Sequence, residues 1–263
     1  MQSIILTVNN KAWLIDQVID AIYKYTVNPF ELIIVLDGCT DNSEQVVKEH
    51  IKDNARIFYT PDVYETIANN VGLKNAVGEF VIIIQDDMII NELGWDARMR
   101  KPLDAFPDIF AVTARTAHSW QINYASSMIN NYVPAEGQDL IIPIDLADKD
   151  RGLDRQTFAI RQSVNRGPLM IRHSDLKILN YLDESYAPFE MDDHDLCYRA
   201  QKVLGKYAGC YWVDYISELE WGGTRKPETQ PVLLRAANKN AKLLFDRHED
   251  LINNRIIENR YLP

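Results

Sequence analysis

Two adjacent carboxylates, Asp86 and Asp87, follow the apolar run Val81-Ile82-Ile83-Ile84 with a single glutamine between. A run of that kind reads as a buried strand, which puts the pair at the strand's carboxyl end. Carboxylates at the lip of a core are costly unless water or a cation meets them. Hard oxygen donors favour magnesium or manganese, and magnesium is commonly held by one or two carboxylates together with substrate phosphates. A helix cap or a solvated strand end is the alternative reading. A second acidic cluster, Asp192-Asp193-His194-Asp195, opens a stretch with helical spacing. Acidic groups there complement the helix dipole by about 0.3–1 kcal/mol, whatever else they do.

The elements that must position these groups follow from apolar periodicity. Strands are expected at residues 4–8, 32–36, 55–59 and 80–84, alternating with helical patterns, the signature of a parallel sheet with helices on its faces. Leu14, Ile15, Val18, Ile19 and Ile22 share one face of the first helix, with Asn9 or Asn10 placed to cap it. Asp41 and Glu44 resemble a capping pair for the second, and the third is expected over about 67–77. Ligands of such sheets sit beyond the carboxyl ends of the strands, which draws attention to Thr7, Asn9, Asp37, Asp41, Asp86 and Asp87. From 94 to about 165 the pattern loosens. It resumes with a strand at 168–171, short and longer helices near 174–179 and 192–203, and a long terminal helix over 231–257, packed on the body or on a partner.

A chain of 263 residues fits one compact body, and its formal charge of −10 argues against a general nucleic-acid binder. Cys39, Cys197 and Cys210 have neither zinc nor redox spacing, and His118, His173 and His194 form no zinc motif, so the histidines are expected at surface or helix positions. The strand-like start leaves no room for a signal peptide, and no apolar run approaches the roughly 18 residues of a membrane span. A cytoplasmic protein is expected.

Three blocks of residues carry a family resemblance. Ala68, Asn70, Gly72, Ala76, Gly78, Glu79 and Phe80, followed by the apolar strand and Asp86-Asp87, resemble the Ala-x-Asn-x-Gly, Ala-x-Gly-Glu-Tyr/Phe, strand, Asp-x-Asp run of family 2 glycosyltransferases. Residues 4–10 resemble that family's first strand with its terminal Asn, and residues 35–43 its Val-Asp-Asp-Gly-Ser-Thr-Asp-x-Ser run. Residues 192–199 resemble Glu-Asp-x-Asp-Leu-x-x-Arg, preceded by Leu182-Asp183-Glu184 in the place of Phe-Asp-Glu. Three blocks in order across about 3–199 are far more specific than any one of them.

The resemblance implies an α/β fold of the GT-A type: a mostly parallel nucleotide-binding sheet with flanking helices, fused to an acceptor-binding lobe and a C-terminal helix. Residues 1–90 form the nucleotide-sugar half, 91–221 the acceptor and base half, and 222–263 a mobile loop and terminal helix, all in one continuous domain. It implies inverting transfer of a sugar from a nucleoside-diphosphate donor, UDP-linked by preference, to a hydroxyl of a glycan, glycolipid or other acceptor, with Mn2+ or Mg2+. Asp37 would bond the base, with Thr7, Asn9 and Asn70 around the nucleotide; Asp86 would meet the ribose or share the metal, and Asp87 would hold the cation on the diphosphate. Asp193, with Asp192 beside it, would take the acceptor's proton. A positioned base is worth roughly 100- to 10,000-fold for a poorly nucleophilic alcohol.

Other readings stay open at this stage. Asp37 also suits a turn before Gly38. Leu36 and Asn69 depart from the family's usual Asp and Arg, so a basic contact is missing or comes from elsewhere, Arg225 and Lys226 being candidates. Trp120, Tyr124 and Tyr132 could stack on acceptor sugars or belong to a core. Glu220, before Gly222-Gly223, stands where relatives place a metal-binding His; in an extended segment it shares a face with Glu218 and Ile216. A solvated strand edge is its alternative. Oligomerisation through the terminal helix is a further expectation. A catalytically silent nucleotide-sugar or carbohydrate binder of the same fold is the competing function; a nucleotidyltransferase would need a Gly-rich, Arg-containing loop after the first strand, which is absent.

Overall fold

The computed structural model describes residues 1–122, 141–222 and 230–263. Tyr124, Tyr132, Arg225 and Lys226 therefore lie outside the described residues. The first part alternates β1 (Gln2–Val8), α1 (Ile15–Tyr25), β2 (Phe30–Asp37), α2 (Ser43–His50), β3 (Ala55–Thr60), α3 (Tyr64–Asn75) and β4 (Phe80–Gln85). Next come β5 (Ile89–Ile90), α4 (Trp95–Ala105), β6 (Ile109–Thr113), β7 (Thr116–Ile122), β8 (Ile141–Asp148), β9 (Thr157–Arg161), β10 (Ser163–Val164) and β11 (Leu169–Arg172). The remainder is α5 (His173–Ile178), α6 (Asp192–Leu204), β12 (Tyr207–Cys210), β13 (Tyr215–Ile216), α7 (Gln230–Ile252) and β14 (Glu258–Tyr261).

Nine strands make one sheet in the order β14-β9-β12-β6-β11-β4-β1-β2-β3. The block β4-β1-β2-β3 is parallel, as is the β6-β12 pair, while β11 and β9 run against their neighbours. Ile4, Leu6 and Val8 of β1 face α1 and pack with its Ile15, Val18, Ile19 and Ile22; Ile5 points to the opposite face with Leu73 of α3. Burial on both faces explains why the strands read as unbroken apolar runs. A Cβ on Gly72 would lie 2.4 Å from Ile5 Cγ2, so glycine is what lets α3 seat on the sheet. Register then does the positioning: Thr7 pairs with Val35 on one side and Gln85 on the other, which brings Asn9, Asp37 and Asp86 to one edge.

Several expectations are corrected. Neither Asn9 nor Asn10 caps α1, which starts at Ile15 without a side-chain cap; Asn10 Oδ1 instead accepts from Thr40 N (2.7 Å) and Asp41 N (3.2 Å). Asp41 does accept from Ser43 N (2.9 Å) at the start of α2, but Glu44 turns outward to Lys48 and Tyr59 rather than back. The stretch that reads as loose contains α4 and five strands, with Trp120 only 8% exposed and donating from Nε1 to Ser163 Oγ at 2.7 Å. Trp120 is thus core. His173 and His194 do sit on helices, in α5 and α6, though both are buried; His118 departs from the expectation, being half-buried on β7 and stacked on Trp120 with ring centroids 5.0 Å apart.

The terminal helix stops at Ile252, with a non-helical residue at His248, and residues 258–261 form an edge strand antiparallel to β9. The buried face of α7 packs on the body, where Leu244 and Ile252 join Trp120, Tyr186 and Tyr198 in one cluster. No helix among the described residues is long and apolar enough to cross a membrane.

Candidate active site

The ends of β1, β2 and β4 build one rim. Asn9 N donates to Asp86 Oδ2 (3.1 Å) and Asn9 Nδ2 to the Asp37 carbonyl (2.6 Å), so one asparagine joins all three strand ends. Thr7 is half-buried in β1 just below. Asp37 is almost enclosed, its carboxylate accepting from Thr60 Oγ1 (2.7 Å), Val63 N (2.7 Å) and Tyr64 N (2.8 Å). It therefore anchors the entry to α3. Gly38 follows with φ +58°, and a Cβ there would lie 2.4 Å from Asp62 Cβ, so the turn reading of this segment holds as well.

Burial pushes the Asp86 carboxyl up to about 6, opposed by the Lys11 ammonium and the Asn9 N–H. Lys11 Nζ lies 3.5 Å from Asp86 Oδ1 and donates to the Trp221 carbonyl, while Lys11 itself is 3% exposed. Lys11 is thus a buried cation beside Asp86 at the strand ends. Its one signal in the sequence is its place three residues past the end of β1.

Asp87 has a buried oxygen, Oδ1, with no hydrogen-bond partner. An orphaned carboxylate oxygen beside a second carboxylate is the donor chemistry a magnesium or manganese ion takes, with the remaining ligands from phosphate and water. Glu220 does not join it: 219–221 is a single 3-10 turn rather than an extended segment, Glu220 is exposed, and no group of three or more His, Cys, Asp or Glu side chains among the described residues is placed to hold a metal ion by itself. The face-sharing of Ile216, Glu218 and Glu220 is thus overturned by the turn.

Asp192 and Asp193, the first two residues of α6, are buried. Asp192 takes both guanidinium nitrogens of Arg166, Nη1 at 2.8 Å and Nη2 closer still. Asp193 Oδ2 accepts from Arg166 N (2.9 Å), and its Oδ1 accepts from His194 N (2.9 Å) and lies 2.8 Å from His194 Nδ1. Burial alone would raise the Asp193 carboxyl, but the His194 charge and hydrogen bond, with Arg166, hold it well below the usual range. The backbone entering this corner is strained, Glu190 and Met191 both having positive φ (75° and 68°).

Glu65 on α3 closes the gap between the two acidic pairs. It lies 3.7 Å from Arg166 Nε, and burial, with Asp192, Glu190 and Asp86 adding to it against Arg166, pushes its carboxyl up to about 7. Arg166 meets both Glu65 and Asp192, and Gly167 beside it abuts Gln85, the residue before Asp86, so residues more than 100 positions apart come together. Asn70 takes a different duty: Nδ2 donates to Leu182 O and Glu184 Oε1 (both 2.9 Å), and Oδ1 accepts from Leu182 N (3.1 Å). Its amide is fully engaged in tying α3 to the turn before α6, so it positions that turn rather than opening toward the strand ends. Arg166 and Glu65 carry no motif of their own and were not legible as site residues.

The glycosyl transferase family 2 model matches residues 3–166. The chain belongs to that family. An uncharacterized glycosyltransferase of Haemophilus influenzae is 32% identical over 94 residues, covering 34% of this chain and 38% of its own length. The chain spans well under half of that relative. Among solved structures, glucosyl-3-phosphoglycerate synthase from Mycobacterium tuberculosis, in complex with Mn2+, UDP and glucosyl-3-phosphoglycerate, superposes with a TM-score of 0.59 at 15% identity, over 100% of this chain and 88% of that one. S. aureus TarS 1-349 in complex with UDP gives 0.55 at 16% identity, over 95% and 69%. These likenesses establish the fold, which is GT-A: a large mixed, mostly parallel sheet with helices on both faces. In this family 2 chain Asn9, Asp37 and Asp86 are joined at the carboxyl edge of β1, β2 and β4, where α/β sheets bind ligands.

Proposed function

We propose that the protein transfers a sugar from a nucleoside diphosphate, UDP by preference, to an acceptor hydroxyl with inversion at the anomeric carbon. The observation that carries this reading is the approach of the Asp86-Asp87 strand end and Asp192-Asp193 to one link, in which Arg166 meets Asp192, Asp193 and Glu65 and Gly167 abuts Gln85, next to Asp86. Both structural neighbours are complexes with UDP, and one of them holds Mn2+ as well, which supports the donor and the metal.

Asp87 and, next to it, Asp86 would hold a magnesium or manganese ion. When bound, such an ion supplies positive charge to the diphosphate as the bond from the sugar carbon to its oxygen breaks. Lys11 lends a further positive charge beside Asp86. Asp37 and Thr7 line the side where the base enters, and Asn9 keeps the three strand ends in register. Asp193 accepts the acceptor's proton as that oxygen bonds to the anomeric carbon, and the diphosphate departs with the bonding electron pair. A single displacement with one base inverts the centre.

The test is to titrate UDP and GDP by calorimetry with and without Mn2+, then to screen UDP-sugars for metal-dependent release of UDP. Manganese-strengthened UDP binding with turnover of one donor is expected. Tight nucleotide binding with no turnover of any donor would favour the silent-binder alternative, and indifference to UDP would remove the reading.

A further inference from the structure

Arg166 lies in the short link between β10 and β11, far in sequence from every motif of the site, and is 5% exposed. Its guanidinium grips Asp192 with two nitrogens, its Nε lies 3.7 Å from Glu65 Oε2 and 3.9 Å from Asp193 Oδ2, and its own backbone N–H donates to Asp193 Oδ2 at 2.9 Å. The next residue, Gly167, has φ +88°, and a Cβ on it would lie 2.7 Å from Gln85 Oε1, the side chain just ahead of Asp86. One dipeptide thus touches α3, the end of β4 and the start of α6.

We propose that Arg166 is the positioning residue of the acceptor side, committing Asp192 to structure and leaving Asp193 as the carboxylate presented to the acceptor hydroxyl. The proposal rests on the reading of Asp193 as proton acceptor. A bidentate guanidinium–carboxylate pair fixes orientation as well as charge, which a lone ammonium does not. With Asp192 gripped, the 166 N–H is held against Asp193. An ionised carboxylate offers about four acceptor positions. The Arg166 N–H takes one on Oδ2, and the His194 N–H and Nδ1 face Oδ1, so Oδ2 keeps a position for the incoming hydroxyl. The charged and titratable groups facing Asp193 are Arg166 from the β10–β11 link, His194, Asp192 and Cys197 on α6, Glu190 before it and His118 on β7, with Glu65 of α3 beyond Arg166. His118 on β7 is held down to about 4 by burial and by His194, so it stays neutral near pH 7. Arg166 is therefore the one permanent cation among them.

The test uses the full chain labelled with 13Cγ-aspartate and followed by carbon NMR from pH 3 to 8, the Asp193 signal being assigned by its loss in Asp193→Asn. In the wild type that carboxyl is expected to stay ionised as far down as the fold persists. In Arg166→Gln its proton affinity should rise tenfold or more, and in Arg166→Lys by less. Release of UDP from the UDP-sugar that the screen selects should fall at least tenfold in Arg166→Gln, with UDP affinity within about threefold of wild type. Should Arg166→Gln fail to fold, the double variant Arg166→Gln/Asp192→Asn removes both buried charges together and carries the same two readouts. An unshifted Asp193 titration in either folded variant, or wild-type turnover in the double variant, overturns the proposal. Full turnover in Asp193→Asn would instead overturn the base reading, while the titration still reports on Arg166.

Discussion

The two acidic pairs fail differently when neutralised, because their surroundings differ. Asp87 has an unpaired oxygen and few protein partners to lose, so Asp87→Asn should leave stability within about 0.5 kcal/mol and erase the manganese-dependent part of UDP affinity. Calorimetry of wild type and variant with and without Mn2+ decides it; equal metal dependence in both would remove the ligand role. Asp192→Asn strands the buried Arg166 charge, and breaking such a pair costs about 3–5 kcal/mol. Its signature is thus a lower urea midpoint, whereas Asp193→Asn should hold UDP affinity and lose about two orders of magnitude in turnover. If Asp192→Asn folds normally and is the inactive one of the two, the order of roles within the pair is reversed.

At the scale of elements, the links between strands and helices set the spacing of the site, and two of them make separate predictions. Gly167→Ala puts a Cβ at positive φ and against Gln85 Oε1, a strain of about 1–3 kcal/mol, and should weaken manganese-dependent UDP binding through the adjacent Asp86 and Asp87. Unchanged UDP affinity in the folded variant would show that the Gly167 link does not set the strand end. The α6–α7 joint depends on Asp195, which meets His248 Nε2 (2.8 Å) and Arg199 Nε (2.6 Å) and is held below the usual carboxylate range by them against the opposing effect of burial. A depressed carboxyl contributes stability that is present above its unfolded value near 3.9 and is lost as pH falls through the folded value. The stability gap between wild type and Asp195→Asn should therefore be widest at neutral pH and narrow below pH 4, read as urea midpoints; a gap constant with pH would place the loss in packing alone.

The same elements explain what the sequence can and cannot reveal. The strands β1, β2 and β4 are legible because both their faces are buried, so their residues form unbroken apolar runs ended by polar groups, while the edge strand β3, Ala-Arg-Ile-Phe-Tyr-Thr, is only partly buried and is legible from its β-branched and aromatic residues. Between β6 and β10 that standard is met unevenly: β6, Ile-Phe-Ala-Val-Thr, is wholly buried, but β8, Ile-Ile-Pro-Ile-Asp-Leu-Ala-Asp, is only partly buried, and β10 has two residues. Asn9 and Asn10 mislead because a polar residue after a strand serves a cap and a strand-to-strand tie equally well in composition. Asp86, Asp87 and Asp193 can be picked out because each sits in a motif. Arg166 and Lys11 cannot, since what marks them is burial against a carboxylate of the site, which no motif announces.

For the molecule as a whole, the nine-stranded sheet separates the site from the chain's last strand. Among the described residues β14 is paired only to β9, and β9, β12, β6 and β11 stand between it and β4. It is polar and edge-placed, fastened by backbone pairing, by Leu262 N donating to Gln156 O (2.7 Å), and by Arg260 meeting Asp108 with two nitrogens at 2.7 and 2.6 Å. The Asp108 carboxyl is held below the usual range chiefly by that hydrogen bond, and the Arg260 guanidinium also lies over Phe106, 4.8 Å from the ring centroid. Removing residues 258–263 bares the edge of β9 and these contacts without touching β1, β2 or β4. The melting temperature should fall by several degrees, at roughly 2–4 °C per kcal/mol for a chain of this size. Manganese-dependent UDP affinity should remain within about threefold of the full chain. A shortened protein that melts as before but no longer binds UDP would show that the far edge of the sheet is coupled to the nucleotide site, and would contradict the separation that the strand order implies.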